Sequence, residues 1–318
     1  MAPFLDYLIY QLSEAGTVAA TVASTLSRRF NYDERSAYLF LMPVMAVLVL
    51  VAVFPIFYSL YLSFFDLKLT RPHRVPFVWF DNYLTLFADE LFWGSVLRTV
   101  YFTLISVTAI TVLGLLIALL LNETFRGRRF ISAMLLVPWA IPYVANALMW
   151  KWIYDSGYGA LNGALLQMGF IDKYMVWLGD ADKTIPLIAN AFIWKEVPLA
   201  AILLLVTLKS IPDDLYRAAK VDGATLMRRF IHITLPSLRP GFALVFIFET
   251  MIAIRHFDLF FILTEGGPAD ASHVLAWEIY VETFRNLSFG TGAALAYIMA
   301  IVTFFLAYSI IRTVGKRL

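Results

Sequence analysis

The chain has 318 residues, 61% of them apolar and 15% charged, with a formal net charge of +2. Soluble domains are about 45–50% apolar and about 25% charged, so this composition is built for lipid, and a near-neutral balance gives no basis for nucleic acid binding. The absence of cysteine excludes disulfides, thiolate metal sites and a cysteine nucleophile. His73, His232, His256 and His273 are scattered without ligand spacing, so no metal site is expected.

Residues 1–36 lack the pattern of a cleavable signal peptide. The first charge is Asp6, no basic region precedes the apolar stretch, and Arg28, Arg29 and Arg35 follow it. Phe4, Leu5, Leu8, Ile9 and Leu12 recur at helical spacing, which predicts an amphipathic helix lying on a membrane face.

Residues 37–318 read as a second region, in which six segments reach the length of about 20 residues needed to cross a hydrocarbon core. They are Ala37–Phe64, Val100–Leu121, Ile131–Ile153, Ile185–Leu208, Gly241–Leu263 and Thr291–Ile311. Pro43 and Pro55 fall inside the first, Pro138 and Pro142 kink the third, and Pro198 lies in the fourth. Internal prolines are tolerable because neighbouring helices re-satisfy the freed carbonyls. The expected class is all-α, a six-span membrane protein. With the N-terminus placed inside, most Lys and Arg fall on inner segments, Arg126, Arg128 and Arg129 among them. Both termini are then expected in the cytoplasm. Residues 65–97 and 154–184 are rich in aromatics and acids and read as short interfacial helices or as a platform for an external partner. The Glu265–Pro268 run reads as a tight turn.

Between spans four and five lies a long charged interruption of this region, residues 209–240. Pro212 suits a first helical position, and Asp213 and Asp214 place negative charge at the positive end of the helix dipole. Leu215, Ala218 and Ala219 give one small apolar face, and Gly223 ends the helix as a left-handed cap. Ala224–Ile233 is expected to form a second helix carrying Arg228 and Arg229, stopped by Pro236. A connecting loop and a docking surface both fit this pattern.

The chain carries no GxxxxGK[ST] phosphate loop, no HExxH, no GxSxG and no clustered nucleophile. No catalytic residue is identified, and no cofactor is expected on this chain. Ionisable residues inside spans are functional candidates because burying them in lipid is expensive. Lys195 and Glu196 in span four, and Glu249, Arg255 and His256 in span five, are the candidates for a polar solute path. Glu249 and His256 share a helix face, whereas Arg255 and Asp258 can pair and hold helices together. Asn146, Trp150 and Trp194 suit the wall of a sugar path, since aromatic faces and amides bind hydroxyl-rich rings. Lipid-facing or core roles are open for each aromatic. Lys195, Arg255 and His256 weakly favour an anionic group on the solute.

The loop of residues 209–240 resembles the cytoplasmic motif of bacterial ABC importer permeases: EAA, three residues, Gly, nine residues, I-x-L-P. Here it reads Arg217-Ala218-Ala219, then Gly223, then Ile233-Thr234-Leu235-Pro236. The Val221-Asp222-Gly223-Ala224 run is similar to the carbohydrate-uptake branch, of maltose and glycerol-phosphate type. Asp81-Asn82-Tyr83, Pro138-Trp139 with Trp150-Lys151-Trp152, and Phe257-Asp258 followed by Leu263–Pro268 resemble further elements of that branch. The resemblance spans roughly residues 37–318. It implies a type I importer permease fold in a bacterial cytoplasmic membrane, one of two paired permease subunits, moving a sugar or sugar derivative. ATP and magnesium would be used by a separate dimer of ATPase subunits, and an extracytoplasmic binding protein would deliver the solute. Asp213, Asp214, Arg217, Ala218, Ala219, Asp222, Gly223, Ile233, Leu235 and Pro236 are the implied ATPase-coupling residues. Arg217 replaces the motif's leading Glu, a charge reversal that Asp213, Asp214 or a partner must compensate. A self-contained secondary transporter or channel is the alternative, and it would usually show repeated halves or broken helix pairs.

Overall fold

The computed structural model describes residues 34–315. The amphipathic helix expected near the N-terminus lies outside the described residues. The chain divides into two units, with the boundary between Ser59 and Leu60.

The described part of the first unit is one helical run. Helix α1 (Glu34–Leu48) passes through a π turn (Val49–Val53) into α2 (Phe54–Leu62). Phe40–Leu62 has a mean hydropathy of 2.8, the signature of a lipid-facing span. The π turn lies just before Pro55. Proline has no N–H to return to the preceding turn, and widening that turn by one residue accommodates the missing bond. The same device recurs at Phe230–Thr234, ahead of Pro236.

The second unit contains α3 (Asp81–Ala88), α4 (Glu90–Asn122), α5 (Arg128–Ala140), α6 (Tyr143–Ile153), α7 (Ala160–Gln167) and α8 (Ala181–Lys209). It continues with α9 (Asp213–Val221), α10 (Leu226–Arg229), α11 (Leu235–Ser237), α12 (Arg239–Ile254), α13 (Asp258–Leu263), α14 (Leu275–Tyr280) and α15 (Phe289–Gly315). Four described helices are long and apolar enough to span a membrane, and six spans result if each of two bent pairs counts as one.

Helices α4 and α8 form the centre. Both start on an aspartate cap: Asp89 accepts from Leu91 N at 2.9 Å and Asp180 from Asp182 N at 3.1 Å. A hydrogen bond from Lys183 holds the Asp180 carboxyl below the usual carboxylate range. Along their length the two helices approach backbone to backbone at Gly114, where an added Cβ would lie 3.0 Å from Ala200 Cβ and 3.2 Å from Ala201 N. Small residues at such crossings allow the close packing that holds helices together in lipid. Phe102 and Ile110 from α4, Phe192 and Leu204 from α8, Val245 from α12 and Phe260 from α13 are buried in one core.

Three expected boundaries are corrected. The second span starts at Glu90, ten residues before Val100, because Asp89 caps the helix well ahead of the uncharged stretch. The third span is not one kinked helix: α5 and α6 meet at 93° around Ile141 and Pro142, where Pro142 lacks the N–H that would continue the ladder. The fifth span stops at Ile254, and Arg255–Phe257 break the helix before α13.

The Asp81-Asn82-Tyr83 element works as a fastener. Asn82 Nδ2 donates to Ser63 O at 2.7 Å and Phe65 O at 3.0 Å, while the Tyr83 and Ser63 hydroxyls are 2.7 Å apart. Residues 65–69 in turn pair with the start of α15, through Phe289 N to Leu67 O and Leu69 N to Leu287 O, both 2.9 Å. In the 264–272 turn, Thr264 and Ser272 share a 2.7 Å hydroxyl contact, and Gly266 takes a positive φ of 84° against the Trp277 indole.

Candidate functional site

Two regions gather the candidate residues, a loop between α8 and α12 and a buried polar cluster. In the loop, α9 opens with Asp213 and Asp214 and ends at Gly223, whose φ of 73° is left-handed. Ala224 N reaches Ala219 O at 2.9 Å and Gly223 N reaches Lys220 O at 3.1 Å, which satisfies the last carbonyls of α9. Thr225 then caps α10 by accepting from Arg228 N at 3.3 Å. Tyr216 OH meets Thr234 Oγ1 at 2.9 Å and fixes α9 against the following turn. That contact was not read from the sequence, because a Tyr and a Thr eighteen positions apart carry no short-range signal.

The sequence expectation that Pro236 stops the second helix is corrected. The helical path runs from Leu226 through Pro236 to Ser237 and then bends by 58° into α12. The proline sits at the start of α11, where its missing N–H costs little, and the π turn before it absorbs the lost bond. Asp213, Asp214, Arg217, Ala218 and Asp222 are exposed on α9 and its end, and Leu235 is exposed on α11. Ala219, Ile233 and Pro236 are half-buried. Arg217 Nη2 bonds to Asp214 Oδ1 at 2.5 Å, one turn back on the same helix. Val221, Leu226 and Met227 are 88%, 78% and 66% exposed, an apolar surface left uncovered around the turn from α9 to α10.

The second region lies where α5, α6, α8 and the break after α12 meet. Lys195 and Glu196 are buried, with Nζ 3.6 Å from Glu196 Oε1. Lys195 also donates to Trp139 O at 2.8 Å and stands 4.3 Å from the Tyr143 ring centroid. Tyr143 OH donates to Glu196 Oε1 at 2.6 Å. Tyr143 had not been singled out from the sequence. Its position directly after Pro142, where α6 restarts, was the available signal. His256 is buried between Tyr143 and Phe192, at ring distances of 4.8 and 4.9 Å. It lies in the break after α12 rather than on the helix face inferred from spacing. Glu249 is fully buried on α12, with both carboxyl oxygens lacking a hydrogen-bond partner among the described residues.

The remaining candidates are divided. Asn146 is buried and donates to Ala191 O at 3.1 Å, while its Oδ1 has no partner among the described residues. Trp150 and Trp194 meet edge to face at 6.1 Å, next to Tyr154. Arg255 is exposed and turns back to Met251 O at 2.9 Å. No ion pair joins it to Asp258 among the described residues. Arg255 thus stays outside the cluster, because the helix ends one residue before it and the chain turns away.

The chain matches the family described as binding-protein-dependent transport system inner membrane component over residues 110–318. It is 37% identical over 267 residues to the sulfoquinovosyl glycerol transport system permease protein SmoG of Agrobacterium fabrum, covering 84% of this chain and 86% of that protein. It is 36% identical over 288 residues to the trehalose/maltose transport system permease protein MalF of Thermococcus litoralis, covering 90% and 95%. Among solved structures, a chain of a bacterial ABC transporter involved in import of the acidic polysaccharide alginate aligns with a TM-score of 0.78 at 22% identity, covering 92% of this chain and 99% of that one. At that identity the likeness concerns the fold.

Proposed function

This chain belongs to the family of binding-protein-dependent transport system inner membrane components, and we propose that it is one of two paired permease subunits of an ATP-driven sugar importer. It is a carbohydrate ABC importer permease, a membrane protein with several apolar helices. ATP and magnesium belong to separate ATPase subunits, and an extracytoplasmic binding protein delivers the solute. The termini and the α9–α10 loop face the cytoplasm, in keeping with the inward bias of Lys and Arg.

The observation that carries this reading is the α9–Gly223–α10 loop. It is a shaped projection fixed by Tyr216 and Thr234, with Ala218 and Ala219 on α9 and exposed Val221, Leu226 and Met227 beside them. A monomer gains nothing from holding such apolar groups in water; a partner that covers them does. Docking there couples closure of the ATPase to rocking of α8 and α12, the helices that the loop joins. The buried cluster around Lys195, Glu196, Glu249 and His256 lies along the solute path, with Asn146, Trp150 and Trp194 on the wall.

The test is copurification followed by reconstituted uptake. A stable complex with a second permease and an ATPase is expected, with uptake lost when the ATPase is inactivated. Solute-driven transport by the purified chain alone would overturn the reading.

A further inference from the structure

The segment that joins α6 to α8 contains no ionisable residue from Ser156 to Ile171. Four large side chains of this segment nevertheless stand in the open: Phe170 is 74% exposed, Tyr158 72%, Val176 65% and Met168 61%. They are displayed by a closed loop and not by a frayed connection. Asn162 of α7 is fully buried, and its Nδ2 donates to Asp155 O at 3.2 Å and Met175 O at 2.9 Å. Its Oδ1 accepts from Met175 N at 3.0 Å and Trp177 Nε1 at 2.9 Å. Past the end of α7, Gly169 turns the chain at a φ of 76°, with Gly169 N on Leu166 O and Phe170 N on Leu165 O.

The depth of this loop follows from its ties to α8. Tyr154 OH donates to Leu187 O at 3.2 Å and accepts from Asn190 Nδ2 at 2.9 Å. The end of α6 is therefore level with Leu187, about 9 Å along α8 from Ala181 at 1.5 Å per residue. Asp182 and Lys183 occupy the start of α8, with Asp180 as its cap, and the apolar length follows from Ile185. The loop thus lies where the chain passes from apolar span to charged end, the depth at which a bilayer passes from hydrocarbon to headgroups. Trp152, on the last turn of α6, is 67% exposed and carries the open apolar surface onto a helix of the spans. Trp and Tyr with one apolar body and one polar tip favour that depth.

We propose that the loop of residues 156–176 is a membrane anchor, in which Tyr158, Met168, Phe170 and Val176 enter the interfacial layer of the phospholipid bilayer beside the ends of α6 and α8. A protein partner that comes and goes would return these side chains to water each time it left, and its rim would call for charged or polar groups that residues 156–171 largely lack. Lipid covers them permanently and asks for no charge. The assignment requires only that α8 and the α5–α6 pair lie in a membrane, and it holds whichever solute is moved.

The chain has no cysteine, so Met168→Cys, Phe170→Cys and Val176→Cys each give a single site for a nitroxide label. The labelled full chain, purified with its partner subunits, is reconstituted into vesicles of phosphatidylethanolamine and phosphatidylglycerol. Collisions of the label with oxygen, which concentrates in lipid, are compared with collisions with a water-soluble nickel chelate. Oxygen is expected to dominate at all three positions. When Met168→Cys is combined with Phe170→Asp, the balance is expected to shift toward nickel, because a buried carboxylate without a partner is costly and draws the loop toward water. The three positions are independent, so a variant that fails to assemble leaves the other two to decide. Dominant nickel collisions would place the loop in water and overturn the proposal. Scarce collisions with both agents would show that a protein, the second permease included, covers the loop, and would overturn it as well.

Discussion

Replacing Lys195 by Met tests whether the buried cluster is a connected ionic network. Lys195 Nζ stands 3.6 Å from Glu196 Oε1, which at an effective dielectric of about 20 corresponds to an attraction on the order of 5 kcal/mol. Desolvation offsets much of that while both charges are present. With Lys195 gone, Glu196 stays buried with the Tyr143 hydroxyl as its one donor among the described residues, and Trp139 O loses the 2.8 Å bond that Lys195 gave it. Breaking such a pair costs about 3–5 kcal/mol. Glu196→Gln is milder, since its amide oxygen still accepts from Tyr143. Combining the two changes removes both charges, so the double variant should lose at least about 2 kcal/mol less than the sum of the singles. Denaturant unfolding of the purified chain in detergent, followed through its 8 tryptophans, measures the cycle. Costs additive to within about 0.5 kcal/mol would refute the network and imply that both charges are solvated in the membrane.

Three further outcomes are expected. Gly114→Leu should separate α4 from α8, because the Ala201 backbone 3.2 Å from the added Cβ cannot yield. A loss of about 1–3 kcal/mol is expected in the same unfolding assay, and Gly114→Ala should cost less. Gly223→Val meets open space, so its cost comes from the φ of 73° alone, about 1–2 kcal/mol, read as faster proteolysis within the α9–α10 loop; an unchanged cleavage rate would show that the turn does not need a left-handed residue. Burial holds the His273 imidazole below its ordinary 6.5, with Arg98 acting in the same direction and the Asp270 carboxylate at 3.3 Å opposing both. The folded turn therefore favours the neutral form of His273 more than the unfolded chain does. Its stability is fully present above about pH 6.5 and falls as acidification protonates the unfolded form. Faster hydrogen exchange in residues 264–274 at pH 5.5 than at pH 7, after correction for intrinsic rates, and lost in His273→Gln, is the expected result.

Hydropathy alone marked where lipid would surround the chain, because about 20 consecutive apolar residues have few other physical uses. It also isolated the charged loop, and proline and glycine chemistry predicted α9 and its left-handed end at Gly223. Its limits came from residues whose effect depends on their neighbours. Pro142 and Pro236 look alike in a sequence, yet one breaks a span by 93° and the other sits at a helix start behind a π turn. Whether a proline breaks or is absorbed depends on what the adjacent turn can widen against. Glu249 and His256 looked like one helix face, but the helix ends between them.

The composition, the span-forming segments and the motif spacing were determined by the sequence itself, since each depends on residues close together along the chain. The partners inside the membrane were decided by tertiary structure. Tyr143 reaches Glu196 across 53 positions, Lys195 takes a carbonyl 56 positions away, and Arg255 turns out of the cluster that its charge suggested. Burying a charged group without a partner is costly, and only the packing of α5, α6 and α8 brings the partners of Lys195 and Glu196 within reach.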